Sequence, residues 1–328
     1  MRSPALLVTG QNQIELGEVE IPDPGPGELL IKSELSSISP GTELRCMGGG
    51  ENGGNEYPYI PGYSMLGTVQ QVGAGATLPI GTRVFCSGTK KAEGAKRQWG
   101  GHVAYGIQTE KTVHLVPEGL SPESAVLTKL AAISFHGYRM VMAGALDDVL
   151  IIGLGPIGML SSMIHQAAGA NVMALDPIEA RRDLAGKVGI KAFAPDDPAA
   201  KDCFPQLATV VVDSTGAPAV LPSALSWLRE PAWGLDRNPR HHLIVQGSYG
   251  QNDIAVCYQE AFMREATIVV PRDTCPPDYD EVLSWCAAGK LDLAPLLSEV
   301  FAPKDAPEVY RRLLEKDPAL LTAGFRWA

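Results

Sequence analysis

A chain of 328 residues is longer than one typical folding core and predicts two domains. With 27 Lys and Arg against 37 Asp and Glu, the net charge of −10 argues against nucleic acid or an anionic membrane as partner. The 45% apolar content is ordinary for a globular protein, and no apolar run approaches the ~20 residues of a membrane span.

At the N-terminus, Ala5-Leu6-Leu7-Val8 is too short for the apolar core of a signal peptide. The six cysteines (46, 86, 203, 257, 275, 286) form no CxxC pair. They read as reduced thiols, which places the protein in the cytoplasm.

The first ~115 residues read as β-structure. Gln13–Leu16, Glu28–Ser33, Leu66–Val72 and Arg83–Phe85 alternate or are β-branched, with turn clusters such as Pro22-Asp23-Pro24-Gly25-Pro26-Gly27 between them. Gly41 to Asn55 is glycine-rich and weakly patterned, which predicts a loop, with Met47 to Gly54 as a flexible lip beside a substrate. The pattern then changes to alternating strands and helices. The strands are Asp147–Leu154, Asn171–Leu175, Thr209–Val212, His242–Val245 and Thr267–Val270. The helices are Ile157–Ala168, Ile178–Val188, Ala217–Arg229 and Asp278–Ala288. This order predicts an α/β fold with a doubly wound parallel sheet of the Rossmann kind.

Gly153-Leu154-Gly155-Pro156-Ile157-Gly158 sits between the first of these strands and its helix, and Asp176 ends the next strand. That is the context a dinucleotide-binding turn requires. Gly153 makes the tight turn, Gly155 lets the backbone approach a pyrophosphate, and Gly158 permits close helix–strand packing. Pro156 and Ile157 open the helix whose N-terminus faces the phosphates. Asp176 accepts from the adenosine ribose hydroxyls and repels a 2′-phosphate, favouring NAD over NADP, although Arg181-Arg182 could meet a phosphate. Ser214 and Thr215, and Gly247 and Ser248, end later strands on the carboxyl edge where ligands of such sheets bind.

The chain resembles a medium-chain dehydrogenase/reductase over nearly its whole length. The resemblance is carried by Gly41-Thr42-Glu43-Leu44, Tyr57-Pro58-Tyr59-Ile60-Pro61-Gly62-Tyr63, Leu66-Gly67-Thr68-Val69, Gly81-Thr82-Arg83-Val84, the glycine turn and Gly289-Lys290-Leu291-Asp292-Leu293-Ala294-Pro295-Leu296. Within it, the stretches Ser37–Glu43 and Tyr57–Tyr63 are similar to the bacteriochlorophyllide 2-hydroxyethyl dehydrogenase branch, whose wording proteins of unrelated substrate share. The resemblance implies a GroES-like, mostly β catalytic domain over 1–120, completed by 272–328, and a dinucleotide-binding domain over 121–271. It also implies a homodimer and a small-molecule substrate.

Departures from that family are chemical. Where zinc members carry their ligands, this chain has Pro40, Tyr63 and Ala132, and no cysteine lies between Cys86 and His102. Pro, Tyr and Ala make no ligand set, so zinc is not expected at either family site. Side chains must then stabilise the substrate oxygen. By resemblance, Thr42 touches the substrate hydroxyl, Arg45 stands where relatives carry a relay histidine, and His136 stands near the nicotinamide. Glu43 follows Thr42 as the usual acid, and Tyr63 points into the vacated metal site, with Lys129 another candidate cation. Each has a structural alternative: Tyr63 a packed core aromatic, His136 a helix cap, Glu43 an anchor, Arg45 an exposed charge. His102, His114, His165, His241 and His242 read as core or surface residues, and Lys90, Lys91, Lys96 and Arg97 as a variable basic loop.

The expected activity is zinc-independent hydride transfer between NAD(H) and a secondary alcohol or ketone. The rivals are NAD(P)H-dependent reduction of an activated C=C bond and a catalytically silent nucleotide-binding relative.

Overall fold

The computed structural model describes residues 1–50, 56–232, 241–250 and 253–327. The chain forms two compact units, Met1–Lys129 with Tyr279–Ala328, and Leu130–Asp278. Among the described residues no helix is long and apolar enough to cross a membrane.

The first unit is a GroES-like β fold. One sheet runs Gln13–Glu20, Arg2–Gly10, Tyr59–Ile60 and Lys96–Arg97 in spatial order. The other runs Glu299–Phe301, Ala323–Arg326, Glu28–Ser37, Met65–Val72, Arg83–Cys86 and His114–Leu115, with Tyr105–Thr109 also paired to Glu28–Ser37. Alternation along Arg2–Gly10 divides its side chains between two cores. Leu6 and Val8 pack with Tyr310 and Phe325, whereas Ala5 and Leu7 pack with Ile31 and Val103.

The second unit is a six-stranded, wholly parallel Rossmann-type sheet. Its spatial order is Lys191–Phe193, Asn171–Leu175, Asp148–Ile152, Val210–Asp213, His242–Val245, Thr267–Val269. The central strands are buried along their length, which is why they read as continuous Val, Ile and Leu rather than as alternation. The crevice for ligands of such sheets lies where the strand order reverses, beside Asp148–Ile152 and Val210–Asp213.

Two expectations need correction. The segment from Gly41 does not begin as a loop: Pro40–Met47 is a helix, and 51–55 lie outside the described residues. Pro40 presets the first turn, Glu43 Oε1 accepts from the Ser39 backbone N–H at 2.6 Å, and Glu43, Cys46 and Met47 bury one face. Of the predicted lip, Met47 is wholly buried and its carbonyl accepts from Asn12 N–H. The predicted helix over Ala217–Arg229 shrinks to Leu221–Leu225. Beyond it the Trp227 carbonyl accepts from Ala208 N–H and Arg229 N–H donates to the Ala208 carbonyl, so the segment leading into the strand Val210–Asp213 captures the backbone that would have continued the helix.

Candidate functional site

In the first unit, the helix Pro40–Met47 sets Thr42, Glu43 and Arg45 on one short element. Tyr63 follows Gly62, whose φ of +82 admits only glycine readily, because a Cβ there would sit 2.6 Å from the His102 ring. The Tyr63 hydroxyl donates to Ser39 Oγ and lies 3.3 Å from Thr42 Oγ1. Trp99 packs edge-on against the Tyr63 ring, with centroids 5.2 Å apart. The structure thus brings Thr42 and Tyr63 together, as an aromatic hydroxyl on a small cluster of alcohols. Ser39 completes that cluster and was missed by sequence reasoning. The signal was a serine immediately before a helix-starting proline.

Glu43 points the other way, into the core. Trp327 Nε1 donates to Ser36 Oγ (3.0 Å), which lies 2.8 Å from His102 Nδ1, and His102 Nε2 lies 3.1 Å from Glu43 Oε2. Tyr310 donates to the same carboxylate oxygen at 2.5 Å. Burial and the facing Glu43 carboxylate push the Tyr310 hydroxyl well above the usual phenol range. Arg45 is half-buried, with its guanidinium beside Gly41. Of the four basic loop residues, Lys91 pairs with Glu28 at 2.7 Å, Lys96 pairs with Glu56 at 2.8 Å, and Lys96–Arg97 forms a strand.

In the second unit, Gly153 adopts φ +89 and the helix Pro156–Ala167 starts with Gly155 as a cap that has no side chain. A Cβ on Gly158 would lie 1.7 Å from the Gly153 carbonyl oxygen, whereas one on Gly155 would meet nothing within 4 Å. The turn is therefore closed on its inner side and open on its outer side, which fits a pyrophosphate over a helix N-terminus. Ser214 Oγ is buried without a partner, and a Cβ on Gly158 would lie 3.3 Å from Ser214 Cβ. An orphaned hydroxyl beside the turn also fits a polar ligand there.

Asp176 is nearly inaccessible. Its carboxylate accepts from Leu154 N–H (2.7 Å) and Ile178 N–H (2.8 Å), and Arg181 Nη1 lies 3.4 Å away. An ionised carboxylate offers about four acceptor sites, so capacity for ribose hydroxyls remains. Thr215 donates to Asp213 through both its N–H and its hydroxyl, and the Tyr249 hydroxyl donates to the other Asp213 oxygen. Burial and Asp213 raise the Tyr249 hydroxyl above the usual phenol range. Gly247 must be glycine, since a Cβ would lie 2.3 Å from Gly216 N, and Ser248 is exposed.

His136 is also in the second unit, and the first unit holds Thr42 and Tyr63. With Cys275 and Asp278 it forms the single cluster of three metal-ligating side chains among the described residues. Arg139 stands among them. Its Nη2 is 2.6 Å from Cys275 Sγ and 3.2 Å from His136 Nδ1, and its Nε is 3.0 Å from Asp278 Oδ1. The guanidinium supplies the positive charge that a metal would bring, and it already contacts all three donors, so the cluster as folded does not fit a cation.

Residues 25–119 match the family model for the alcohol dehydrogenase GroES-like domain. Over its full length the chain is 28% identical to 2-desacetyl-2-hydroxyethyl bacteriochlorophyllide A dehydrogenase from Rhodobacter capsulatus, covering 99% of that protein. Its fold is similar to that of 2R,3R-butanediol dehydrogenase from Bacillus subtilis (TM-score 0.85, 22% identity, 99% of this chain and 100% of that one). A protein described as a short chain alcohol dehydrogenase from Escherichia coli CFT073, crystallised with cofactor NADH, matches equally well (TM-score 0.85, 19% identity, 99% of each chain).

Proposed function

We propose that the chain is an oxidoreductase of the medium-chain dehydrogenase/reductase family, of the alcohol and polyol dehydrogenase type, and that it moves a hydride between NAD(H) and a secondary alcohol or ketone without a catalytic zinc. The observation that carries this reading is the pairing of Tyr63 with Thr42 and Ser39, three hydroxyls gathered at a position where the resemblance implies a zinc ligand in other members. Hydroxyls bind an alcohol or carbonyl oxygen by hydrogen bonds, and proline, tyrosine and alanine at the ligand positions supply no tetrahedral zinc set.

The glycine turn, the orphaned Ser214 hydroxyl and Asp176 would hold the dinucleotide, with Thr215, Gly247 and Ser248 on the same sheet edge. A bound nicotinamide supplies the hydride acceptor for alcohol oxidation. The chain supplies the rest: Thr42 Oγ1 orients the substrate oxygen, and Tyr63 Oη takes its proton in oxidation and returns it in reduction. Asp176 favours NAD because its charge opposes a 2′-phosphate. The assembly proposed is a homodimer. Its support is four exposed apolar side chains, Tyr258, Phe262, Met263 and Val270, in and around the segment that leads into the edge strand Thr267–Val269.

The test is initial-rate turnover of secondary alcohols, ketones and enones with each nicotinamide cofactor, alongside elemental analysis. Ketone reduction with NADH by zinc-free protein is the expected result. Enone reduction without ketone reduction, or stoichiometric zinc that activity requires, would sink the reading.

A further inference from the structure

Trp99 holds a backbone φ of +71, a region that glycine adopts freely and a bulky residue adopts only at a cost. The pairing around it explains the conformation. The strand Lys96–Arg97 runs parallel to Tyr59–Ile60, and the N–H groups of Gln98 and Gly100 then both donate to the Ile60 carbonyl, at 2.9 and 3.2 Å. Gly101 resumes the pairing by donating to the Gly62 carbonyl at 2.7 Å. Trp99 is thus the extra residue that the pairing skips, beside Tyr63, and bulges of this kind re-aim a side chain.

A glycine would take this backbone without strain, so the cost at residue 99 has to be offset by the side chain. Within the fold that side chain gains little. It is half-buried, Tyr63 is the one ring it meets among the described residues, and none of them accepts from its indole N–H. An edge-on aromatic pair contributes modestly. Backbone strain that local packing does not repay gathers at ligand-binding positions.

We propose that Trp99 is a specificity-determining wall of the substrate site, and that the substrate is a secondary alcohol or ketone with a flat aromatic group beside its reacting carbon. The inference rests on the reading in which Thr42 and Tyr63 hold the substrate oxygen. Tyr63 and Ser39 are buried, whereas Thr42 and Trp99 keep partial exposure. The indole and the Tyr63 ring are 5.2 Å apart between centroids, so a substrate oxygen on the Tyr63 hydroxyl brings its neighbouring substituent within reach of the indole. A flat ring gains there both from buried apolar area and from ring-to-ring geometry, whereas an aliphatic chain gains only the first. A polyol would bring hydroxyls that an apolar ring surface leaves unpaired. Of the basic loop nearby, Lys91 and Lys96 pair with Glu28 and Glu56, and Arg97 donates to the Lys90 carbonyl, which favours an uncharged substituent.

The experiment pairs turnover with binding. Its probes are acetophenone, an aryl methyl ketone, and 2-butanone, its aliphatic counterpart, with sorbitol as a polyol control. The kcat and KM values are measured with NADH for the ketones and with NAD for sorbitol. Calorimetry of acetophenone binding to the NAD-loaded protein, where no hydride is available, adds a readout that needs no turnover. Wild-type protein should favour acetophenone over 2-butanone in kcat/KM by about tenfold or more. Trp99→Gly, which relieves the backbone and removes the ring, should raise KM and Kd for acetophenone by about tenfold, with kcat and the KM for 2-butanone kept within about twofold. Trp99→Leu keeps bulk without an aromatic face and gives the same readout if the glycine variant fails to fold, and Trp99→Phe should restore most of the preference. Equal losses on both ketones, absent acetophenone binding, or a wild type that prefers 2-butanone or sorbitol would overturn the role of Trp99. Acetophenone binding that depends on Trp99, without turnover of either ketone, overturns instead the reading of Thr42 and Tyr63 as catalytic hydroxyls.

Discussion

His102 Nε2 and Glu43 Oε2 lie 3.1 Å apart, with both side chains wholly excluded from solvent. The hydrogens can be assigned from the network. Trp327 donates to Ser36, Ser36 to His102 Nδ1, and His102 Nε2 to the carboxylate, which also takes Tyr310 and the Ser39 backbone N–H. Glu43 thus ties the start of helix Pro40–Met47 to helix Ala306–Leu314 and to the strand end near Trp327. Glu43→Ala would strand several buried neutral donors, and a buried donor left without its partner costs ~1–3 kcal/mol. Chemical denaturation should show a loss of that order. A loss below ~1 kcal/mol would mean that water enters and satisfies the network.

The glycine turn separates stability from binding. Gly158→Ala puts a methyl 1.7 Å from a carbonyl oxygen, so both folding and dinucleotide affinity should suffer, with destabilisation of several kcal/mol. Gly155→Ala meets no atom within 4 Å and should leave the melting temperature nearly unchanged. Its methyl would nevertheless occupy the space proposed for the pyrophosphate, weakening NADH by at least about tenfold. Fluorescence titration with NADH beside a thermal melt tests both. An unimpaired Gly155→Ala would place the dinucleotide elsewhere.

The parallel sheet was legible because buried central strands leave continuous Val and Ile runs: Asn171–Leu175 and His242–Val245 fall where the sequence puts them. The helix Pro40–Met47 was hidden by Gly41 and the following Gly48-Gly49-Gly50, and its buried face depends on a charged residue, Glu43, that periodicity does not count as apolar. Ser39 and Thr42 meet Tyr63 across 24 and 21 residues, and no local rule carries a contact of that kind. Nor could spacing along the chain reveal that Arg139 would stand among His136, Cys275 and Asp278, since those donors come from segments more than 130 residues apart.

Asp176 has two tasks in this fold, and one substitution should affect both. Its oxygens hold Leu154 N–H in the glycine turn and Ile178 N–H at the next helix. Asp176→Ser removes the charge that opposes a 2′-phosphate and leaves Arg181, 3.4 Å from the carboxylate, free to meet one. The ratio of kcat/KM for NAD to that for NADP should fall by on the order of tenfold or more, one charge contact being worth about 1.4 kcal/mol. The loss of the Leu154 tether should also lower affinity for both cofactors. An unchanged ratio would remove Asp176 from cofactor selection.

His165 gives the protein a defined acid sensitivity. It lies buried on the helix Pro156–Ala167, packed edge-on against Tyr138, with Nδ1 unpartnered. Burial pushes its imidazole down to about 4, from an ordinary 6.5, with Asp147 opposing weakly. In the folded state the ring stays neutral, whereas the unfolded chain takes up a proton as pH falls below 6.5. Stability from this group is therefore complete above pH 6.5 and declines as pH falls towards 4. Over the full window the loss is roughly 3 kcal/mol, at 1.36 kcal/mol per pH unit. His165→Leu removes the titration, so the difference in unfolding free energy between variant and wild type should shift in the variant's favour from pH 7 to pH 4.5. A constant difference across that range would show that the folded protein hydrates His165.

Arg139 decides whether the second unit can take up a metal. Its guanidinium holds Cys275 Sγ, His136 Nδ1 and Asp278 Oδ1 at 2.6, 3.2 and 3.0 Å, and so keeps three otherwise suitable donors from a cation. Arg139→Ala removes the competing charge and leaves a nitrogen, a sulfur and a carboxylate whose ligating atoms lie within 4.8 Å of one another. Such a mixed set suits zinc, with a water completing the tetrahedron. Cobalt(II), used as a spectroscopic stand-in, should develop visible absorption in Arg139→Ala and not in wild type. Cys275→Ser in the same background should abolish the thiolate charge-transfer band. Tight, stoichiometric uptake by wild-type protein that Cys275→Ser removes would reverse the argument, because the guanidinium would then be a gate that the metal displaces.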